Sequence, residues 1–148
     1  MNLYYLDASA WVKRYLDEPG TQSVLSLFGE PLASTILGYV EVASTLARQQ
    51  AARKLSAGAL QYLQQKLRTD WKQFIEVPMT AAFIGQAVEL AEHYKLRGAD
   101  TIHLAAALSL QNIFAETNDP ITLVSSDIEL LQAVQAAGLL IRDPVPSL

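Results

Sequence analysis

The chain contains no cysteine. Disulfides, cysteine-based zinc sites and a thiol nucleophile are therefore excluded, and the composition fits a reducing cytoplasm. Hydrophobic residues make up 51% of the chain, yet no apolar run approaches the roughly 20 residues that a membrane helix needs. The first apolar stretch lasts only a few residues before it meets Asp7, so no secretory signal is expected. Positive charge is in deficit, with 11 Lys and Arg against 15 Asp and Glu and a formal net charge of −4. A domain that binds nucleic acid by bulk charge is usually basic. Any nucleic-acid site here has to rely on local bases, or on a cation that offsets the acids. Histidine is scarce too, with two in 148 residues. Repeats, low-complexity tracts and linkers are missing, so residues 1–148 read as one domain.

What the chain does have is a strand-and-helix alternation. Leu3–Leu6 is a short continuous apolar run of the kind found in buried parallel strands. It ends at Asp7, and Ala8–Leu16 has helical character. Asp17-Glu-Pro-Gly20 breaks that helix, and Thr21–Phe28 resumes one. Leu32–Thr35 reads as a second strand, Ile36–Arg53 as a long helix, and Ser56–Phe74 as another capped by Ser56. Phe74–Val77, Ile121–Val124 and Leu139–Ile141 complete about five strands. Thr80–Tyr94 and Ile128–Ala137 are further helices, the second closed by Gly138. Ala99–Leu110 is apolar on nearly every side, which predicts a central buried helix. This order predicts an α/β fold, a short, mostly parallel sheet with helices on both faces. Right-handed crossovers then bring the C-terminal ends of the strands to one edge, where open α/β sheets bind their ligands.

Four acids fall at or near that edge. Asp7 and Asp127 each follow a strand. Asp100 lies in the first turn of the buried helix, where a charge needs a partner. Glu41 sits in an otherwise apolar or small stretch, next along its face to Leu37, Gly38, Ser44 and Thr45. Each has an ordinary explanation. Asp7 is a good helix cap. Ser126-Asp-Ile-Glu129 reads as a capping box, which makes Asp127 a dipole partner, and Glu41 fits a solvated stripe. Together they are harder to dismiss. Two unit charges about 4 Å apart repel by roughly 4 kcal/mol at an effective dielectric near 20. Gathered carboxylates need a cation or raised pKa values, and an all-oxygen set suits Mg²⁺ or Mn²⁺. His103, one turn from Asp100, is placed to hydrogen-bond it and to orient a neighbour. Trp11 and Tyr15 read as core or groove packing, with stacking on a base as the rival role.

At this point the sequence resembles a known family. Tyr5-Leu-Asp7-Ala-Ser9-Ala10, Lys13-Arg-Tyr15 and Glu18-Pro-Gly20 look like the opening of the PIN-domain nucleases, in particular the VapC-type toxins of toxin–antitoxin modules. Ala33-Ser34-Thr35 leading to Glu41 is similar to their second block. Arg97-Gly98-Ala99-Asp100-Thr-Ile102-His103-Leu-Ala105 resembles the family's most recognisable helix. Leu123-Val-Ser125-Ser-Asp127 resembles the last block, with Ser125 where a Thr is commoner. The segment Asn112–Asn118 is longer and more polar than the family pattern.

The resemblance implies a PIN-like three-layer sandwich. It implies that Asp7, Glu41, Asp100 and Asp127 hold one or two Mg²⁺ or Mn²⁺ ions. The implied activity is a metal-dependent endoribonuclease that leaves a 5′ phosphate and a 3′ hydroxyl. Ser9 and Ser125 would contact phosphate or orient Asp7, and Lys13, Arg14 and Arg48 would meet the RNA. A cognate antitoxin, lying over a groove lined by Thr21–Phe28 and Ile36–Ala52, and a homodimer are implied partners. Two other readings stay open: another Mg²⁺-dependent phosphotransfer protein, such as a phosphatase or receiver-like domain, and a non-catalytic PIN-like module that binds protein.

Overall fold

The computed structural model describes residues 1–145. Its centre is β1 (Leu3–Leu6), flanked by β2 (Leu32–Ser34) and β4 (Ile121–Val124). The outer strands are β3 (Ile75–Glu76) and β5 (Leu140–Arg142), and the order is β3-β2-β1-β4-β5. Every neighbouring pair is parallel. Leu6 pairs with Val124, so the residues that follow, Asp7 and Ser125, leave the sheet side by side.

The pleat explains the layers, because successive side chains on a strand point to opposite faces. Leu3 and Tyr5 of β1, with Ile121 and Leu123 of β4, face one core. Leu6 and Val124 face the other, where Tyr4 also packs. The first core is covered by α5 (Ala81–Tyr94), α6 (Gly98–Ile113) and α7 (Ile128–Ala136). The second lies under α1 (Ala8–Trp11), α3 (Ile36–Ala51) and α4 (Ala57–Trp71). Two helical layers on a parallel sheet are the three-layer sandwich expected from the alternation. Helix α6 is as buried as predicted, with Leu104, Ala105, Ala106, Ala107 and Leu110 inside.

Several boundaries move, each for a local reason. The first helix is only one turn of α-helix before it tightens to a 3-10 turn, Val12–Arg14. The second, α2, is Thr21–Leu25, entered from Gly20 at φ 94°. That conformation suits glycine, and a Cβ there would also press within 3.1 Å of the Pro144 backbone. Helix α3 stops before Arg53, which adopts φ 60°. Helix α6 runs three residues past Leu110, so it absorbs the start of the polar Asn112–Asn118 segment, and a 3-10 turn, Ala115–Thr117, takes up most of the rest. Among the described residues no helix is long and apolar enough to cross a membrane.

Candidate active site

Three parallel strands place the backbone exits that matter here at one edge. Asp7 follows β1, Thr35 follows β2 and opens α3, and Asp127 opens α7 after β4. Helix α6 feeds β4 from the opposite end, so its N-terminus, with Asp100, returns to that edge.

Asp7 is 3% exposed. Its Oδ1 caps α1 by accepting from the Ala10 N–H at 3.0 Å. The Ser9 hydroxyl donates to Oδ1 and Oδ2 at 2.8 and 3.0 Å, and the Ser125 hydroxyl donates to Oδ2 at 2.6 Å. These partners are neutral, and among the described residues no Lys or Arg is in ion-pair distance of Asp7. Burial therefore pushes its carboxyl above the usual range, against the opposing effects of His103 and of these hydrogen bonds. The Ser125 Oγ also accepts from the Asp127 N–H at 2.9 Å, and Ser9 Oγ accepts from the Ser126 N–H at 2.9 Å. One hydroxyl at each position thus joins Asp7 to the loop that carries Asp127.

Asp100 and Asp127 meet through Arg97. The guanidinium donates to Asp100 Oδ2 at 3.1 Å and to Asp127 Oδ2 at 2.8 Å. Burial raises the Asp100 carboxyl first, and the negative charge of Asp127 raises it further. Asp127 Oδ1 accepts from the Leu130 N–H at 3.2 Å, so Asp127 itself is the helix cap. The capping-box reading with Ser126 as cap is corrected: Ser126 Oγ is buried and has no partner among the described residues.

Glu41 is held by His103. The ring Nε2 lies 2.7 Å from Glu41 Oε1, and Nδ1 lies 2.6 Å from the Tyr5 hydroxyl. Burial holds the Tyr5 phenol well above its normal range, so it keeps its proton. A carboxylate can only accept, so Nε2–H donates to Glu41. The expected His103–Asp100 bond does not form. The two are one turn apart on α6, but His103 points at Tyr5 on the inner sheet face while Asp100 turns to Arg97. Gly38 makes room for this arrangement. A Cβ there would sit 2.5 Å from Ser34 Oγ and 3.4 Å from His103 Cε1. In an open helix Gly→Ala would stabilise by about 1 kcal/mol. Gly38→Ala is instead expected to destabilise by about 1–3 kcal/mol through overpacking, read as a lower denaturant midpoint with unchanged slope.

A cleft of about 580 Å³ runs beside these groups, lined by Ser9, Lys13, Glu41, Ser44, Arg48 and Ser126 among others. A second, of about 440 Å³, holds Arg97 and Asp127 and shares the Ser126 wall. Asp7 lies off the cleft wall, and Ser9, bonded to both its oxygens, is on it. Lys13 is buried and pairs with Glu18 at 2.9 Å. Arg14 is not part of this surface. It forms an ion pair with Asp70 at 2.7 Å and lies over the Phe28 ring at 4.0 Å. Trp11 and Tyr15 are core residues: Trp11 stacks on Phe74 at 4.4 Å and donates from Nε1 to the Tyr15 hydroxyl at 3.0 Å.

The four acids lie along this edge in three separate arrangements: a lone buried carboxylate, a carboxylate on a histidine, and a pair on an arginine. Among the described residues no three His, Asp or Glu side chains are placed together so that they could hold a metal ion. The donor chemistry nevertheless fits a hard divalent cation. It is all carboxylate and hydroxyl oxygen, one carboxylate is buried without a cation, and two others are drawn together by a positive charge. Sequence reasoning missed Tyr5, Arg97 and Glu18 as parts of the site. The i,i+3 spacing of Arg97 and Asp100 was the signal for one of them.

Comparison with known proteins agrees with the geometry. The family profile of the PIN domain matches residues 4–124. Ribonuclease VapC45 of Mycobacterium tuberculosis (strain CDC 1551 / Oshkosh) is 34% identical over 112 residues, covering 74% of this chain and 78% of that protein. Ribonuclease VapC49 of strain ATCC 25618 / H37Rv matches with the same figures. Among solved structures, PAE2754 from Pyrobaculum aerophilum superposes with a TM-score of 0.68 at 18% identity, covering 95% of this chain and 89% of that one. FitAcB from Neisseria gonorrhoeae gives 0.63 at 14% identity, covering 95% and 97%. With the profile spanning most of its length and two curated relatives at this identity, the chain belongs to the PIN-domain family, alongside the VapC ribonucleases.

Proposed function

We propose that the chain is a metal-dependent endoribonuclease, the toxin of a toxin–antitoxin module. The observation that carries the reading is Asp7, a carboxylate buried at the sheet edge with neutral partners only. An uncompensated buried charge is costly, and a divalent cation would supply what the protein itself does not. Its family relatives named as ribonucleases supply the substrate class.

In this reading Asp7, Asp100, Asp127 and Glu41 hold Mg²⁺ or Mn²⁺. When bound, the ion supplies charge neutralisation at the scissile phosphate and a more acidic water for in-line attack. The chain's own groups do the rest. Ser9 and Ser125 fix both oxygens of Asp7, so its lone pairs have a set direction. His103 holds Glu41 at the cleft wall by donating from Nε2. Arg48 lines the same cleft and offers positive charge to the RNA backbone, while the charge of Lys13 is taken up by Glu18. Attack by water leaves the 2′ hydroxyl uninvolved; with the 3′ oxygen as leaving group, the outcome that the family resemblance implies, the products carry a 5′ phosphate and a 3′ hydroxyl.

The partners are RNA, a cognate antitoxin and a second copy of the chain, in the cytoplasm. Ile36 and Val40, exposed at 44% and 59% on α3, supply apolar surface beside the cleft for an antitoxin segment. Asp100→Asn is expected to abolish cleavage of single-stranded RNA while the far-UV circular dichroism stays unchanged. Cleavage retained by the repurified variant would refute the role given to Asp100.

A further inference from the structure

Arg97 is the N-cap residue of α6, yet its side chain does not cap the helix. It reaches back over the first turn to Asp100 and across to Asp127, two carboxylates from different helices. The side chain is 76% exposed, while those of Asp100 and Asp127 are 12% and 22% exposed. A flexible cation from solvent therefore sits on two acids held in place by the fold. Without it their charges would face each other uncompensated.

We propose that Arg97 is an internal counter-ion that occupies the acidic pair in the metal-free protein and competes with a divalent cation for it. The proposal rests on the metal-site reading above and goes beyond it. The guanidinium fork occupies one oxygen of each acid, Asp100 Oδ2 and Asp127 Oδ2, and places its positive charge between the two carboxylates that a shared cation would also bridge. Exposed ion pairs are individually weak, so Arg97 can be displaced by an ion that interacts with both acids more strongly. The coupling is reciprocal: the ion loosens the guanidinium by the same factor as the guanidinium weakens the ion. The device keeps the site compact and charge-balanced without metal, and nothing in it blocks the Ser9–Glu41 cleft.

Calorimetric titration of the full chain with Mn²⁺ tests this without reference to activity. Arg97→Gln is expected to bind Mn²⁺ about fivefold to tenfold more tightly than the unaltered chain, the factor that two exposed ion pairs are worth. Arg97→Lys keeps a charge but loses the fork, so it is expected to gain about twofold. It carries the same test should the Gln variant fold poorly. Equal or weaker Mn²⁺ binding in the variants would overturn the counter-ion role and leave the metal site standing. An absence of saturable binding in every form would overturn the metal-site reading, and this proposal with it.

Discussion

Asp7→Asn is expected to abolish RNA cleavage and, at the same time, to make the metal-free protein more stable. The loss of activity should reach about three orders of magnitude or more, the scale on which one member of a group acting as a unit is removed. The gain in stability follows from the same burial. Burial disfavours the charged form of this carboxyl and raises it above the usual carboxylate range. An asparagine of the same shape keeps the Ala10 cap and can still accept from Ser9, yet carries no charge to bury. The expected gain is about 1 kcal/mol, or roughly 3 °C in Tm for a chain of this size. Differential scanning calorimetry in EDTA reads it. A variant that is less stable than the parent in EDTA would show that Asp7 is a structural cap first, and that its burial costs the fold little.

The second large effect is on stability alone. Trp11→Ala should cost about 3–5 kcal/mol, the usual range for deleting a buried large aromatic, and lower Tm by roughly 10 °C or more. Trp11 is fully buried and stacks on Phe74, with Trp71 and Tyr39 around it. It also anchors the helix start that carries Ser9. If Trp11 served to stack RNA bases, its removal would weaken RNA binding and leave the melting temperature nearly unchanged. Thermal and binding measurements on the one variant separate the two.

These residues also mark what a single sequence discloses. The β1–Asp7 junction was legible because a continuous apolar run, an acid and a helix start are all local signals. The same holds for Asp127 after Ile121–Val124, and for the buried character of α6. The parallel sheet followed from the alternation, and with it the shared edge of the acids. What stayed hidden were pairings between distant elements. Tyr5 and His103 are 98 positions apart, and His103 and Glu41 are 62 apart. A histidine one turn from an aspartate invites the nearer partner, but the helix is rotated so that His103 faces the sheet. Arg14 shows the same limit. Adjacent to Lys13 in sequence, it leaves the site because the chain tightens to a 3-10 turn there, and Asp70 on α4 captures it. Arg97 was visible in the motif, and its role needed the third dimension only for Asp127.

The account stands most directly on how RNA is cut. Purified protein is incubated with end-labelled single-stranded RNA in Mn²⁺ or in EDTA, and the product ends are identified. The account predicts cleavage in Mn²⁺ only, with 5′-phosphate and 3′-hydroxyl ends. Cleavage that persists in EDTA, or that leaves a 2′,3′-cyclic phosphate, would contradict it.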